Sequence, residues 1–201
     1  MIAMVAARGV EASSMRSVAD ALGVSHTALR HYFPSRDELL VAVYREHDAR
    51  ETSGITTAGP AVAQMRDSAA RNRSVPGLVE LYTTLSSDAI QGGHPVAREF
   101  MTERFRWLRS EVTKLVAADQ AAGRIRRDLD ARSIATLLIA ASDGLQAQWL
   151  LDPAVVDTER ILRLFGRLVA GAADEASACP DTVATTGTAA AARTDTDTGS
   201  S

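Results

Sequence analysis

One stretch near the start of the chain, residues 14–33, constrains the fold more than any other part of the sequence. It has the pattern of two short helices, Met15 to Leu22 and His26 to Tyr32, separated by a glycine. Gly23 permits a left-handed backbone because it has no Cβ to clash, and Ser25 offers a hydroxyl that can cap the second helix. The pattern predicts a helix-turn-helix.

The apolar and polar residues of this stretch predict which sides of the two helices meet. Ala19 stands where the second helix crosses closest, since a larger side chain would push the helices apart. The contacts between the helices are predicted for Val18, Leu22, Val24 and Leu29. The second helix is then held by its inner face and points polar residues outward, namely His26, Thr27, Arg30 and His31. A short braced helix with a polar outer face suits the major groove of DNA.

The residues around this unit carry a family resemblance. Residues 9–25 and 29–40 closely resemble the N-terminal domain of TetR-type transcriptional regulators, with an aromatic pair (Tyr32, Phe33), a capping serine (Ser35), a basic residue (Arg36) and a Leu-Leu pair at fixed offsets. Residues 75–82 and 143–153 are more weakly similar to the ligand-binding half of one branch of that family. The resemblance implies a DNA-binding regulator, with repression as the common mode.

The resemblance also implies which residues contact DNA. Base-edge contacts are expected from Arg16, His26, Thr27 and Arg30, and backbone contacts from Ser14, Tyr32, Ser35 and Arg36. His31 can serve in either role, and Ser25, which caps the second helix, belongs to the same set. Many relatives carry tyrosine where Arg30 stands, although arginine remains a good partner for guanine. Taken singly, each of these residues also has a structural explanation, as a helix cap or a solvated side chain.

The rest of the chain predicts further helices and no convincing strand, so the fold class is all-α. Three parts are expected: a DNA-binding domain at residues 1–50, a helical effector-binding and dimerisation domain at 51–176, and a disordered tail at 177–201 that is too poor in large apolar residues to order. The predicted helices besides the helix-turn-helix are Ile2 to Arg8, Arg36 to about Arg50, Ala61 to Asn72, Pro76 to Gln91, Pro95 to Ala122, Ala131 to Leu151 and Asp157 to Ala173.

The last two predicted helices carry apolar faces that suit pairing with a second copy. Their apolar residues recur at helical spacing, at Ile134, Leu137, Leu138, Ala141 and Leu145, then at Ile161, Leu164, Phe165, Leu168 and Val169. Such a helix pair can pack on its copy as a four-helix bundle in a two-fold homodimer. A dimer presents two recognition helices about one DNA turn apart, so double-stranded DNA with an inverted repeat is the expected target.

An effector cavity is harder to identify, because the residues that line a cavity in a helical body are the same types that fill a core. The candidates for binding a small-molecule effector are Met65, Leu81, Tyr82, Leu85, Phe100, Phe105, Trp107, Asp143 and Trp149. Packing is the alternative role for each. A ligand here is expected to select a body conformation that changes the spacing of the two DNA-binding heads through the helix that begins at Arg36.

Composition narrows the functional classes further. A net charge of −3 does not fit a nonspecific nucleic-acid binder. In residues 1–50, however, six arginines match six acidic residues, so DNA binding depends on where these charges lie rather than on their total. The apolar runs are short and interrupted by charge, so we expect no membrane partner and no secretory signal. A single cysteine, Cys179, fits a reducing compartment, and a cytoplasmic location is expected.

Two alternative classes are an enzyme and a helical ligand-binding protein without DNA binding. The sequence has no HExxH, no paired CxxC, no GxxxxGK[ST] and no GxSxG. His26 and His31 lie five residues apart, about 140° around a helix, and so cannot converge on one metal ion. We therefore expect no catalysis, no cofactor and no metal.

Overall fold

The computed structural model describes Ile2 and residues 14–51 and 59–171. Within them the chain forms eight helices and a single isolated β-bridge between Ile125 and Ala170, which confirms the all-α fold. The helices are α1 (Met15–Leu22), α2 (His26–Tyr32), α3 (Arg36–Glu51), α4 (Ala61–Ser74), α5 (Leu78–Ile90), α6 (Pro95–Ala121), α7 (Ala131–Leu151) and α8 (Thr158–Leu168). Nearly all of the predicted first helix, most of the boundary segment at 51–60 and the predicted tail lie outside the described residues.

The helix-turn-helix has the predicted turn and caps. Gly23 has a φ of 68°, and its backbone N–H donates to the carbonyl of Asp20 at 3.2 Å. The hydroxyl of Ser25 accepts a hydrogen bond from the backbone N–H of Ala28 at 3.0 Å, so α2 begins at His26 as predicted. The left-handed glycine therefore ends α1 and allows the capping serine to start α2 three residues later.

The contact between α1 and α2 is smaller than the sequence predicted. Val18, Ala19 and Leu29 are buried together with Leu39 of α3, but Leu22 is 60% exposed and Val24 is 43% exposed. The prediction that these two residues join the contact was wrong. Ala19, in contrast, is fully buried, and Leu22 lies one turn further along α1.

Helix α3 packs against the helix-turn-helix and also against the helical body. Its first turns meet the helix-turn-helix through Leu39, while Leu40, Val41 and Tyr44 are buried among residues of α5 and α6. The second half of the chain is built around α7, which packs on α6, α4 and α8. Its core contains Leu108, Val112, Val116, Ile134, Leu138 and Leu162. One continuous helix thus connects the helix-turn-helix to the helical body.

The start of α4 is fixed by a buried carboxylate at the far end of α6. Asp119 is 2% exposed; it accepts the backbone N–H of Ala61 at 2.7 Å and pairs with the guanidinium of Arg124, also at 2.7 Å. A buried charge is tolerated when an opposite charge and hydrogen bonds satisfy it, as here. The pairing holds α4 against the body.

Three predicted helix ends were wrong by two residues or more, and the first is that of α4, which ends at Ser74 rather than Asn72. Helix α5 begins at Leu78 rather than Pro76, after a turn in which the N–H of Leu78 donates to the carbonyl of Val75. Helix α8 ends at Leu168 rather than Ala173, because the following residues extend beside residues 124–126. The N–H of Gly171 donates to the carbonyl of Arg124 at 2.9 Å, and a Cβ at Gly171 would lie 2.4 Å from the carbonyl oxygen of Gly123.

The expectation that no segment reaches membrane-spanning length was also wrong for α7. Its 21 residues contain an 18-residue window with a mean hydropathy of 1.2, enough to cross a bilayer by length and composition. In the structure, Ile134, Leu138 and Leu145 of this helix lie in the body core, and Ser142 and Gln146 are buried beside them. The core helix of a folded body passes the same test.

Candidate DNA-binding surface and effector cavity

The outer face of α2 is exposed and polar. Thr27, Arg30, His31 and Tyr32 are exposed, as is Arg16 on α1, whereas His26 is only half exposed. Among the described residues, neither Arg16 nor Arg30 forms an ion pair. Tyr32 is 76% exposed and touches the His31 ring edge-on, with the ring centroids 5.5 Å apart. These side chains lie together on one surface and are available to another molecule.

The three serines predicted to contact DNA all cap helices. The Ser14 hydroxyl accepts from the N–H of Ser17 at 3.2 Å, and Ser25 caps α2. At the start of α3, the Ser35 hydroxyl accepts from the N–H of Glu38 at 3.1 Å and lies 3.4 Å from its carboxylate. The caps hold the starts of all three helices in place, which is the structural role that the sequence left open beside DNA contact.

The first turn of α3 is fastened to the body by two polar contacts that sequence reasoning missed. Arg36 lies 3.6 Å from the carboxylate of Asp88 on α5. Asp37 lies 2.9 Å from Nδ1 of His94, which precedes α6. The hydrogen bond to Asp37 raises the pKa of His94 above its usual range. No sequence pattern links positions 57 residues apart, so only the folded chain reveals this contact.

The same residues form a group of potential metal ligands. One atom each of Asp37, Asp88 and His94 lies within 4.8 Å of the others. However, Nδ1 of His94 is already bonded to Asp37, and the guanidinium of Arg36 lies beside Asp88. Each carboxylate of the group therefore already lies beside a basic side chain, although Oδ2 of Asp88 is buried without a hydrogen-bond partner among the described residues.

A cavity of about 220 Å³ opens between α3, α4, α5, α6 and α7. Of the predicted effector residues, Met65, Tyr82, Trp107 and Asp143 line it. The remaining five do not: Leu81, Leu85 and Phe100 are buried in a core cluster, Phe105 packs against the core, and Trp149 lies 6.0 Å from the guanidinium of Arg73. The cavity lining that the sequence did not identify is mostly polar, and includes Tyr44, His47, Asp48, Arg71, Asn72, Arg104, Ser142 and Gln146.

One wall of the cavity connects it directly to α3. Arg104 of α6 is hydrogen-bonded to Asp48 of α3, and its guanidinium lies 4.9 Å from the ring centroid of Tyr44 and 5.7 Å from that of Tyr82. Burial raises the pKa of Tyr44 to about 12, so this ring remains a neutral phenol. Arg104 therefore lines the cavity and is also hydrogen-bonded to α3.

Asp143 is the unusual charge in the cavity. The hydroxyl of Tyr82 donates to its Oδ2 at 3.1 Å, but no basic group among the described residues lies within ion-pair distance of it. Burial raises the pKa of Asp143 to about 6, against the opposing effects of the Tyr82 hydrogen bond and the nearby charge of Arg104. At neutral pH, the cavity thus holds a mostly ionised carboxylate without a paired cation.

A second exposed surface is apolar and is formed by α7 and α8. Leu137 is 61% exposed and Leu151 is 88% exposed on α7, with the small residues Ala140 and Gly144 exposed between them. On α8, the exposed residues at helical spacing are Ile161, Leu164 and Leu168. We call Leu137, Leu151, Ile161, Leu164 and Leu168 the α7–α8 apolar face.

These features define the class: a helix-turn-helix regulator whose DNA-reading unit is joined through one helix to a body with a ligand cavity. Comparisons with known proteins agree. Residues 2–43 match the signature of bacterial regulatory proteins of the tetR family, and residues 93–174 match the C-terminal part of BetI-type transcriptional repressors. The chain belongs to the TetR family of DNA-binding transcriptional regulators.

Three relatives show the extent of the similarity. The HTH-type transcriptional regulator PksA of Bacillus subtilis (strain 168) is 26% identical over 166 residues, which cover 79% of this chain and 78% of PksA. A transcriptional regulator from Rhodococcus sp. Rha1 shares the fold with a TM-score of 0.69 at 19% identity, over 84% of this chain and 90% of its own. AibR, solved with isovaleryl coenzyme A and operator DNA, matches with a TM-score of 0.58 at 19% identity, over 84% and 92%.

Proposed function

We propose that this regulator represses transcription as a homodimer that binds an inverted-repeat operator and responds to a small-molecule effector. The observation that carries the proposal is the exposed polar face of α2, held from behind by Ala19 and Leu29. Buried contacts fix the direction in which this face points, and it has no partner within the described residues. The relative AibR was solved with operator DNA, which supports the same use of the fold.

Within each head we assign separate tasks to the exposed residues. Arg16, His26, Thr27 and Arg30 contact base edges, while Ser14, Ser25, Tyr32, Ser35 and Arg36 position the head on the DNA backbone, with His31 able to do either. Arg36 also lies beside Asp88, so its phosphate contact competes with a contact to the body. Arg30 has no such competitor among the described residues and can form a paired contact with guanine.

The homodimer rests on the α7–α8 apolar face. A recognition helix of seven residues meets only a few base pairs, and one copy discriminates poorly between sequences. Large leucine and isoleucine side chains exposed along two adjacent helices favour burial against a second copy. The two heads of such a dimer, placed about 34 Å apart, read two identical half-sites.

The effector acts on DNA binding through α3. The cavity residues Tyr44 and Asp48 lie on the same helix as Arg36 and Leu39, which contact the body and the helix-turn-helix. A ligand that binds one placement of α3 more tightly shifts the population of head positions. We assign DNA binding to residues 1–50 and effector binding and dimerisation to 51–176, in a protein that acts in the cytoplasm and not on a membrane.

The proposal is tested by selecting bound fragments from random double-stranded DNA at a stated salt concentration, with sedimentation of the free protein in parallel. Enrichment of a palindrome and a dimeric mass are the expected results. Enrichment of a single unpaired site contradicts the dimer, and the absence of any enriched sequence contradicts operator recognition. In that last case the remaining class is a helical ligand-binding protein, and turnover of a bound small molecule is the outcome that indicates an enzyme.

A further inference from the structure

A cluster at the start of α3 brings two carboxylates and an imidazole together. Asp37 belongs to the first turn of α3, Asp88 to the last turn of α5, and His94 directly precedes α6. One ligand atom of each lies within 4.8 Å of the others. None of the three residues lines the cavity, so the cluster is a separate site.

The distances in this cluster are close to those between the ligands of a bound metal ion. Ligand atoms at about 2.0–2.2 Å from a tetrahedral zinc ion lie roughly 3.4 Å from one another. Nδ1 of His94 lies 2.9 Å from each carboxylate oxygen of Asp37, so this pair has to separate by only about 0.5 Å as the metal ion replaces the Nδ1 proton. Asp88 has to approach by no more than about 1.4 Å, since its ligand atom is within 4.8 Å of the others.

Asp88 provides an independent argument for a ligand at this cluster. Its Oδ2 is buried and has no hydrogen-bond partner among the described residues. A guanidinium nitrogen of Arg36 lies 3.6 Å away, which is within ion-pair distance but too far for a hydrogen bond. Buried carboxylate oxygens normally accept a hydrogen bond or coordinate a metal ion, because their desolvation is otherwise uncompensated. Oδ2 of Asp88 is therefore an acceptor whose bonding capacity the described residues leave unused.

The charges around the cluster accommodate a divalent cation. The charged groups that act on His94 are Asp37, Asp88 and Arg36, so two carboxylates face one permanent positive charge. The metal ion takes the place of a proton on His94 and adds its charge between the two carboxylates. The side chain of Arg36 is 27% exposed, so it can turn toward solvent when Asp88 binds the ion.

We infer that Asp37, Asp88 and His94 bind a divalent transition-metal ion such as Zn²⁺, with one imidazole nitrogen and carboxylate oxygens as ligands and water in the remaining position. An imidazole ligand favours Zn²⁺ and Co²⁺ over Mg²⁺ and Ca²⁺, which prefer oxygen ligands alone. The ion joins α3, α5 and the start of α6, and so fixes the start of the helix that connects the helix-turn-helix to the body. The inference goes beyond the proposed function and does not depend on it.

Metal titration of the full chain, treated first with a chelator and studied without DNA, tests the inference. Co²⁺ is expected to give visible d–d absorption that saturates at one ion per chain, and Zn²⁺ is expected to displace it. Zn²⁺ is expected to bind at least about a hundredfold more tightly than Mg²⁺. No binding of Zn²⁺ at submillimolar concentration, or equal affinities for Zn²⁺ and Mg²⁺, overturns the inference.

Two variants each remove one ligand with little change in side-chain size. Asp88→Asn and His94→Gln are each expected to weaken Zn²⁺ binding at least about tenfold. Asp152→Asn is the matched control, because Asp152 is an exposed carboxylate just past the end of α7. Circular dichroism establishes that each variant is folded, and Asp88→Asn decides alone if His94→Gln is not. Zn²⁺ binding that is unchanged in the folded site variants, or that is lost in the control, contradicts the site.

X-ray absorption spectroscopy of the Zn²⁺-loaded protein identifies the ligand atoms. The expected shell contains nitrogen and oxygen at about 2.0–2.2 Å and no sulfur. A sulfur shell at about 2.3 Å would place the ion on a thiolate outside the cluster, where the chain has Cys179, and would overturn the assignment.

Thermal unfolding gives a readout that a merely structural role of the cluster does not move. At a hundredfold excess over its dissociation constant, Zn²⁺ is expected to raise the Tm of the wild-type protein by roughly 5–10 °C. The same rise in Asp88→Asn contradicts the site. Operator binding is measured separately, so a protein that binds Zn²⁺ at the cluster but selects no operator supports this inference and contradicts only the proposed function.

Discussion

Arg30 and Arg36 lie six residues apart and are held very differently. Arg30 is on the outer face of α2, exposed and without an ion pair among the described residues. Arg36 opens α3, is 27% exposed in its side chain and lies beside Asp88. This difference supports the proposed division of tasks, in which Arg30 reads a base and Arg36 anchors the head against both body and DNA.

Substitution of these arginines should separate base reading from anchoring. Arg30→Ala is expected to lose discrimination at one base position in each half-site, by about 1–3 kcal/mol for the preferred base. Arg36→Ala is expected to weaken all sequences alike and to lower the slope of log affinity against log salt by about one per head. The measurement is affinity for the operator and its single-base variants at several salt concentrations.

The control for both variants is Arg66→Ala on α4. Arg66 pairs with its neighbour Asp67 and lies away from the helix-turn-helix, so its removal should leave DNA binding unchanged. Equal losses on every sequence for Arg30→Ala and Arg36→Ala would remove the distinction between the two roles.

At the scale of single residues, the sequence was informative where backbone geometry was at stake. Gly23 and Ser25 specify the turn and the cap through their own chemistry, and the structure has both. The predicted burial of Leu22 was wrong, because an apolar residue in the last turn of a helix is buried only if the neighbouring helix still contacts that turn. The extent of that contact depends on tertiary packing around Ala19.

Among the helices, α3 is held to the body by one polar contact at its start and another in its C-terminal half. Its start carries Asp37, bonded to His94, and its C-terminal half carries Asp48, bonded to Arg104 at the cavity. Both partners belong to the body, so each contact resists movement of α3 relative to α6. A ligand that breaks the contact between Asp48 and Arg104 can move α3 only against the remaining contact between Asp37 and His94.

The contact between His94 and Asp37 should make stability depend on pH. Because the pKa of His94 is raised in the folded state, its stabilising effect is fully present below the unfolded pKa of about 6.5 and is lost as pH rises through the folded pKa. His94→Ala should therefore lower the free energy of unfolding more at pH 5.5 than at pH 9. Urea denaturation of both proteins at the two pH values provides the measurement.

His31→Ala serves as the comparison in that experiment. His31 is exposed on α2 and its ring contacts only the Tyr32 ring among the aromatic groups of the described residues, with no carboxylate partner. The same pH-dependent loss in His31→Ala, or an effect of His94→Ala that grows with pH, would show that the Asp37 contact is not responsible.

For the whole molecule, the proposed dimer depends on burial of the α7–α8 apolar face against a second copy. Leu164→Glu places a charge in the middle of this face, where burial against a second copy would leave it unpaired. The variant is expected to sediment as a monomer of 21.4 kDa, whereas the wild-type protein is expected to sediment with twice that mass. Operator affinity should fall with it, because one head then binds alone.

Ile90→Glu is the control for the dimer. Ile90 is 80% exposed at the end of α5 and lies outside the α7–α8 apolar face, so a charge there should leave the sedimentation unchanged. A Leu164→Glu protein that remains dimeric would place the interface elsewhere, while a monomeric wild-type protein with undiminished palindrome selection would contradict the need for a dimer in solution.

The sequence by itself determined the all-α class, the helix-turn-helix and the family, because these depend on local features: helical periodicity, a glycine turn, capping serines and fixed offsets between neighbouring residues. It also named Tyr82 and Asp143 as effector candidates. Only the tertiary structure decided that Leu81, Leu85 and Phe100 pack in the core while Arg104 lines the cavity. Side chains from five helices meet there, and their distances are set by packing between segments far apart in the chain.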